Sequence, residues 1–245
     1  VILAIDAGNS RVKWGWYEPD RVGGRWVNIA SVSLIEFAAS SDHVNPFSVT
    51  HENPSRIVIS NVAGDGTHQL LVNWTSIFDA EPVWVRGERE LCGVRSRYDR
   101  PEQLGPDRWA ALIAARALHA GRACLVVNAG TATTVDALSE EGEFLGGVIL
   151  PGVDLMRFVL HEHTGRLPLQ EGQFTKTPRN TVDAIETGCR HAQAGAVERM
   201  HRMLGRDSVC LVSGGGGRAL IERLETPCQY VENLVLEGLA RIASV

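Results

Sequence analysis

One short segment occurs twice in this chain, and that repetition limits the fold more than any other feature. Ile2-Leu3-Ala4-Ile5-Asp6-Ala7-Gly8-Asn9-Ser10 is matched by Cys124-Leu125-Val126-Val127-Asn128-Ala129-Gly130-Thr131-Ala132. In each copy a run of apolar residues predicts a buried strand, which ends at Asp or Asn, then Ala, then Gly, then small polar residues. Each copy continues into a second β-rich stretch. The first, 11–17, sets Val12, Trp14 and Trp16 on one face, and the second covers 133–138. The second copy turns at Ser139-Glu140-Glu141-Gly142 into a third strand over 143–150, and the first is expected to do the same through 19–24 into 26–32. A strand–turn–strand meander made twice calls for two similar sheets, each needing helices to cover it.

Beyond each meander the pattern alternates between helical and strand periodicity. The first half reads as a helix at 34–40, a strand at 56–62, a helix at 67–78 and a strand at 82–86. The second half reads as helices at 152–163 and 181–204, a strand at 208–213, a helix at 217–224, a short strand at 228–231 and a last helix at 233–244. Between the halves, 87–105 reads as irregular. The stretch 106–119 then reads as a helix, with Pro106 and Asp107 in its first turn and Trp109, Leu112, Ile113 and Ala117 at helical spacing. The expected organisation is two lobes, 1–115 and 116–245, with the last helix, 233–245, able to pack back on the first.

The formal charge of −5 leaves no basic excess for a nucleic acid or an anionic membrane surface. No apolar run approaches the ~18 residues of a membrane span. The first residues, Val-Ile-Leu-Ala-Ile-Asp, lack the basic start of a signal peptide. The five cysteines, at 92, 124, 189, 210 and 228, spell neither a CxxC nor a disulfide framework, and Cys124 and Cys210 sit in apolar runs where a reduced thiol packs as a small hydrophobe. A reducing cytoplasm is the expected compartment.

The chemistry concentrates at the turns. Gly8 lets a backbone approach a phosphate closely, Asn9 and Ser10 add donors, Lys13 can neutralise a β- or γ-phosphate, and Asp6 suits Mg²⁺ or its waters. Taken alone, this first turn equally describes an ordinary hairpin with a solvated lysine. Gly130 and Thr131, with Thr133 and Thr134, supply a second flexible backbone with hydroxyls, so two such turns facing each other could hold a polyphosphate. No GxxxxGK[ST] loop and no GxGxxG fingerprint is present. Four glycines, Gly214 to Gly217, follow Ser213 where a flat group such as adenosine could lie against backbone. Asp107 opens a helix whose dipole favours its ionised form, so it can take a proton, and Arg108 can pair with an anionic group; first-turn acids also occur for stability alone. His161-Glu162-His163 reads as a cationic helix end rather than a metal site, because i and i+2 residues diverge on a helix. The stripe of Val182, Ile185, Cys189, Ala192, Ala196, Met200 and Met203 reads as core, or as a dimer seam.

Taken together, these residues resemble the type III pantothenate kinases of the acetate and sugar kinase, Hsp70 and actin superfamily, some of which were first described as accessory factors of a virulence regulator. The resemblance rests on Asp6, Gly8, Asn9, Ser10 and Lys13; on Tyr98 ahead of Gly105, Asp107, Arg108 and Trp109; and on Gly130 to Thr134. It continues through Gly146, Gly147, Pro151 and Gly152, then Asn180-Thr181 and Ser213-Gly214-Gly215. It implies an α/β fold of duplicated actin-like (ribonuclease H-like) lobes, each a mixed sheet flanked by helices, with the nucleotide in the cleft between them. It implies transfer of the γ-phosphoryl of ATP to the primary hydroxyl of pantothenate, with Asp107 as general base. Tyr98, Gly105, Pro106, Asp107, Arg108 and Thr181 would hold pantothenate. Asp6, Gly8, Asn9, Ser10, Lys13, Gly130, Thr131, Gly214 and Gly215 would hold ATP and its Mg²⁺. A cytoplasmic homodimer is implied as well.

One position departs from the family pattern. Many relatives have Asp at the head of the second turn, where it ligates a monovalent cation; this chain has Asn128, an oxygen donor without charge, and weaker K⁺ or NH₄⁺ binding is expected. Two other readings remain at this point: a kinase of another hydroxylated small molecule, and a nucleotide-binding regulatory protein that turns nothing over.

Overall fold

The computed structural model describes residues 1–19, 24–39 and 53–245. The expected turn at 19–24 falls mostly outside the described residues, as does residue 40 of the expected first helix. Two compact units are present: Val1–Leu118 together with Leu234–Val245, and His119–Asn233.

The first unit is built on strands β1 (Ile2–Ala7), β2 (Arg11–Glu18), β3 (Arg25–Ser33), β4 (Arg56–Asn61) and β5 (Pro82–Trp84). Their spatial order is β3-β2-β1-β4-β5. The meander pairs β1 with β2 and β2 with β3 antiparallel, while β4 joins β1 in parallel and β5 joins β4 in parallel. Central β1 reads apolar at nearly every position because both its faces are covered. On one face Leu3, Ile5 and Ala7 meet Val12, Trp14, Trp16, Ile57 and Ile59, closed by Phe37 of α1 (Leu34–Ala39) and by Leu71 and Trp74 of α2 (Asp65–Thr75). Helix α1 begins in a capping box: Glu36 N donates to Ser33 Oγ at 3.1 Å, and Glu36 Oε2 accepts from Ser33 N at 3.0 Å.

The stretch 87–105 is more ordered than its sequence suggests. It contains a small hairpin of β6 (Glu90–Leu91) and β7 (Val94–Ser96), followed by a 3₁₀ turn at Pro101–Gln103. Its two-residue loop, Cys92 at φ 49° and Gly93 at φ 75°, has the positive dihedrals of a tight hairpin turn. The first position holds Cys instead of the usual Asn or Asp, so the turn signal was hidden.

The opposite face of the first sheet carries α3 (Pro106–Leu118) and the chain's last helix, α7 (Leu234–Ile242). In α3 every residue from Arg108 to Ala115 is buried. Helix α7 is tied down at both ends: Trp26 Nε1 donates to Glu237 Oε1 at 2.7 Å, and Arg56 Nη1 donates to the Ala243 carbonyl at 2.6 Å. A Cβ placed on Gly238 would stand 1.8 Å from the Ala110 carbonyl oxygen, so the two helix backbones touch where α7 has no side chain.

The second unit repeats the plan. Strands β8 (Cys124–Ala129), β9 (Ala132–Leu138), β10 (Glu143–Pro151), β11 (Val209–Ser213) and β12 (Cys228–Tyr230) stand in the order β12-β11-β8-β9-β10. Antiparallel β8-β9-β10 corresponds to the β1-β2-β3 meander, and β11 and β12 add in parallel as β4 and β5 do. Its core joins Leu125, Val127, Ala129, Val135, Cys210 and Val212 with Ala194 and Val197 of α5 (Thr181–Leu204) and Leu220 of α6 (Gly217–Ile221). Helix α4 (Val153–Glu162) lies between β10 and α5 in the chain. His161 there binds the Leu167 carbonyl through Nδ1 at 2.8 Å, a local contact at the helix end.

The buried face of α5 takes in only part of the apolar stripe that the sequence marked, with Cys189 buried and Met200 packed against the core. Ala192 and Met203 are exposed, whereas Glu186, Gln193 and His201 are buried. Each buried polar group has a partner. Glu186 accepts from Arg157 Nη1 at 2.8 Å and from Arg190, Gln193 donates to Thr133 Oγ1 at 2.6 Å, and the His201 ring meets the Ser208 carbonyl at 3.1 Å. Among the described residues no helix is long and apolar enough to cross a membrane.

The Gly238 contact gives a stability prediction. Gly238→Ala forces a methyl into the α3 backbone, which cannot move aside as a flexible side chain would, and is expected to cost ~3 kcal/mol by overpacking. Urea unfolding with Gly64→Ala as a comparison checks this; at Gly64, with φ 87°, a Cβ would meet nothing within 4 Å, so its cost is conformational only.

Candidate active site

In the first unit the register of three strands places Ser60, Asp6 and Lys13 side by side. Asp6 is the partner of Ser60 in β4 and of Lys13 in β2, so the three side chains share one face of the sheet. That face is opposite the Trp14 and Trp16 core and is the one α3 and α7 cover. Asp6 therefore ends a buried strand beneath the start of α3, where Asp107 lies.

The electrostatics follow from this placement. Burial of its carboxyl is the main force raising the Asp6 pKa, to about 7, and the charge of Asp107 adds to it; Lys13 and the Ser60 hydroxyl pull the other way. Ser60 is fully buried and makes no well-formed hydrogen bond, yet it stands close enough to favour the Asp6 carboxylate. Asp107 is also raised, chiefly by burial, against the opposing influence of the Arg108 backbone N–H and guanidinium. Its Oδ1 accepts from the Arg108 N–H at 2.8 Å, at the first turn of a thirteen-residue helix. A carboxyl whose ionisation is made costlier by burial and by the charge of a second one is a place where a divalent cation would offset that cost. The donor set thus fits Mg²⁺.

Two further details concern the start of α3. A Cβ on Gly105 would stand 2.7 Å from Asp107 Oδ1, so the carboxylate folds over bare backbone. Arg108 is buried, with Nη1 donating to Tyr98 Oη at 3.4 Å and its guanidinium 6.0 Å from the Tyr98 ring centroid. Tyr98, Gly105, Pro106, Asp107 and Arg108 are thereby gathered around one helix start.

The turn after β1 closes with the Gly8 N–H donating to the Arg11 carbonyl at 3.0 Å, leaving Asn9 and Ser10 exposed at its tip. The matching turn of the second unit closes with the Gly130 N–H donating to the Ala132 carbonyl, also at 3.0 Å, with Thr131 exposed. In that unit the glycine run and the turn meet directly. Gly216 N donates to the Ala129 carbonyl at 3.0 Å, and Gly214, at φ 92°, lies where a Cβ would be 2.4 Å from the same oxygen. Asn128 pairs in register with Ser213, and its Oδ1 faces Gly214. Gly215 is exposed at the tip. Thr181 stands exposed as the first residue of α5, next to Asn180, whose Oδ1 caps the helix by accepting from Asp183 N at 2.9 Å.

Ser60 was missed by the sequence reading, and Gly152 entered it only as part of the family resemblance. Ser60 sits in an apolar strand with no motif around it, and only the parallel register brings it to Asp6. Gly152 packs against the second turn, its N–H donating to the Thr131 carbonyl at 2.8 Å, with no room for a Cβ beside the Gly130 oxygen. A glycine before a helix is a weak signal by itself.

The chain is similar to known proteins over its whole length. A family profile described as type III pantothenate kinase matches residues 2–203. A type III pantothenate kinase of Aromatoleum aromaticum is 49% identical over 245 residues, covering 99% of this chain and 98% of that one. One from an Azoarcus species is 46% identical, covering 100% and 91%. Among solved structures, a Sinorhizobium meliloti protein described as a 2-dehydro-3-deoxygalactonokinase superposes with a TM-score of 0.62 at 14% identity, covering 99% and 98% of the two chains, which establishes a shared fold. With a profile match across most of its length and relatives near half identity from end to end, the chain belongs to the type III pantothenate kinases.

Proposed function

We propose that this protein transfers the γ-phosphoryl of ATP to the primary hydroxyl of pantothenate, giving 4′-phosphopantothenate for coenzyme A synthesis, with Asp107 as the general base. The observation that carries the residue assignment is the charged constellation of the first unit, in which Asp6, Lys13, Asp107 and Arg108 lie around one sheet end and one helix start. A protein that only bound nucleotide would have no use for a carboxyl held at an elevated pKa beside an arginine.

Each residue's task follows from its chemistry. Asp107, ionised, accepts the hydroxyl proton of pantothenate as the new O–P bond forms; a raised pKa makes it a better base than an ordinary surface carboxylate. Arg108, fixed by burial and by Tyr98, pairs with the pantothenate carboxylate, and the exposed Thr181 hydroxyl adds a hydrogen bond to the same substrate. Gly8, Asn9, Ser10 and Lys13, with Gly130 and Thr131, present backbone and side-chain donors to the phosphates, and Gly214 and Gly215 offer bare backbone to the adenosine. Asp6 would hold Mg²⁺, directly or through water, and when bound the ion neutralises charge on the phosphoryl oxygens. Little covalent help is required, because phosphoryl transfer depends on alignment and charge stabilisation.

Asn128 does not fit a charge-compensated monovalent cation site. It offers one neutral oxygen, already facing the Gly214 backbone, so K⁺ and NH₄⁺ are bound more weakly than an Asp would bind them. The reading also includes a cytoplasmic homodimer. Ile149 of β10, 62% exposed, and Phe158 of α4, 47% exposed, are apolar side chains that contact with a second copy would cover.

Substitutions, pH and cation exchange test these assignments. Asp107→Asn should lower kcat by roughly 100- to 10,000-fold in a coupled ADP-release assay. Because the raised Asp107 must be ionised to act, kcat/KM of the parent should fall as pH drops through a value above the usual carboxylate range. Variant activity equal to the parent would remove Asp107 as the base. Gly105→Ala pushes the carboxylate off its position while touching only a mobile side chain, so kcat should fall at least ~10-fold with an unchanged urea midpoint. Replacing K⁺ by Na⁺ should alter the rate less than about 3-fold, a differential under ~1 kcal/mol, and Asn128→Asp should restore a K⁺ dependence; a strong K⁺ requirement in the parent contradicts the Asn128 assignment.

A further inference from the structure

Two of the five cysteines face each other within the second unit. Cys210 of β11 and Cys228 of β12 are register partners on adjacent parallel strands, so their side chains leave the sheet on the same face, about 5 Å apart at the backbone. Both belong to one cluster: Cys210 is 1% exposed in the core, and Cys228 is a half-buried residue packed against it. Neighbouring strands hold their Cα atoms within the range that a disulfide spans. We propose that Cys228 and Cys210 form a reversible intrachain disulfide when the folded protein meets a low-molecular-weight disulfide such as oxidised glutathione.

The exchange balances in two steps. The Cys228 thiolate attacks one sulfur of the small disulfide, making a mixed disulfide and expelling one small thiolate. Cys210 then loses its proton to that thiolate or to water and attacks the Cys228 sulfur, forming the Cys210–Cys228 bond and expelling the second small thiol. Two protein thiols are oxidised and one small disulfide is reduced.

The order of attack follows from access and environment. Cys228 is reachable by solvent and Cys210 is not. Hydrogen bonding with Cys210 lowers the Cys228 pKa, and the same interaction, with burial, raises that of Cys210. Two groups oppose ionisation at Cys228: the nearby Glu198 carboxylate, and the Thr226 carbonyl, which accepts from Cys228 Sγ at 3.1 Å. Attack is therefore gated by loss of the Thr226 contact, and is slower than at a fully exposed thiol. The bond would tie the edge strand β12 to β11 beneath the glycine turn. There Val212 pairs with Tyr230, Tyr230 Oη donates to the Gly214 carbonyl at 3.4 Å, and the Arg218 guanidinium lies 4.2 Å from the Tyr230 ring centroid.

The test uses the full-length, freshly reduced protein without substrates, so its outcome does not depend on the kinase assignment. After incubation with oxidised glutathione, intact mass should show the loss of two hydrogens on a monomeric chain. Thiol titration should find two fewer of the five thiols. A non-reducing peptide map should join the peptides holding 210 and 228, and dithiothreitol should reverse all three changes. Cys228→Ser and Cys210→Ala should each abolish the joined peptide, whereas Cys92→Ser should leave it intact. The map of the unaltered protein decides the matter even where a core variant folds poorly. Retention of all five thiols, a stable glutathione adduct on Cys228, or linkage through another cysteine would overturn the proposal.

Discussion

The first unit depends on a backbone contact between two helices far apart in sequence. Gly238 of α7 lies flat against the Ala110 carbonyl of α3, with no room for a methyl between them. This contact seats α3 on the sheet, together with the Trp26–Glu237 and Arg56–Ala243 hydrogen bonds that hold α7. Helix α3 in turn carries Asp107 and Arg108 at its start. Helix α7 thus helps fix the position of Asp107, the base in the mechanism we propose.

With α3 in place, the electrostatics of the site follow. Asp6 ends the central strand on the face that α3 covers, and the nearness of Asp107 raises the cost of ionising it. Lys13 and Ser60, its register neighbours on either side, moderate that cost. Burial and a neighbouring carboxyl thus weaken the ionisation of Asp6 in the absence of ligands.

The duplicated architecture was legible because it rests on local patterns. Strands running through Asp6 and Asn128, tight turns at Gly8 and Gly130, and helices at 106–118 and 181–204 all announce themselves through short-range spacing. The buried face of α5 was only partly legible because Glu186, Gln193 and His201 are buried through polar partners, which hydrophobicity alone cannot foresee. The hairpin at 90–96 was missed because a cysteine occupies a position where turn rules expect Asn or Asp. Helix α2 begins at Asp65, ahead of its expected start, because Gly64 at φ 87° ends the preceding loop.

By itself the sequence determined the α/β class, the doubled meander, the family, and the residue types available for phosphate, metal and proton chemistry. These properties reside in periodicity, in glycines at turns and in motif order, all of which are one-dimensional. Only the tertiary structure decided which groups influence one another: Ser60 beside Asp6, Asp107 raising Asp6, Gly152 against Gly130, and Cys210 opposite Cys228. Strand register and helix docking set those neighbours, and both are fixed by packing between segments whose separation along the chain carries no local signal.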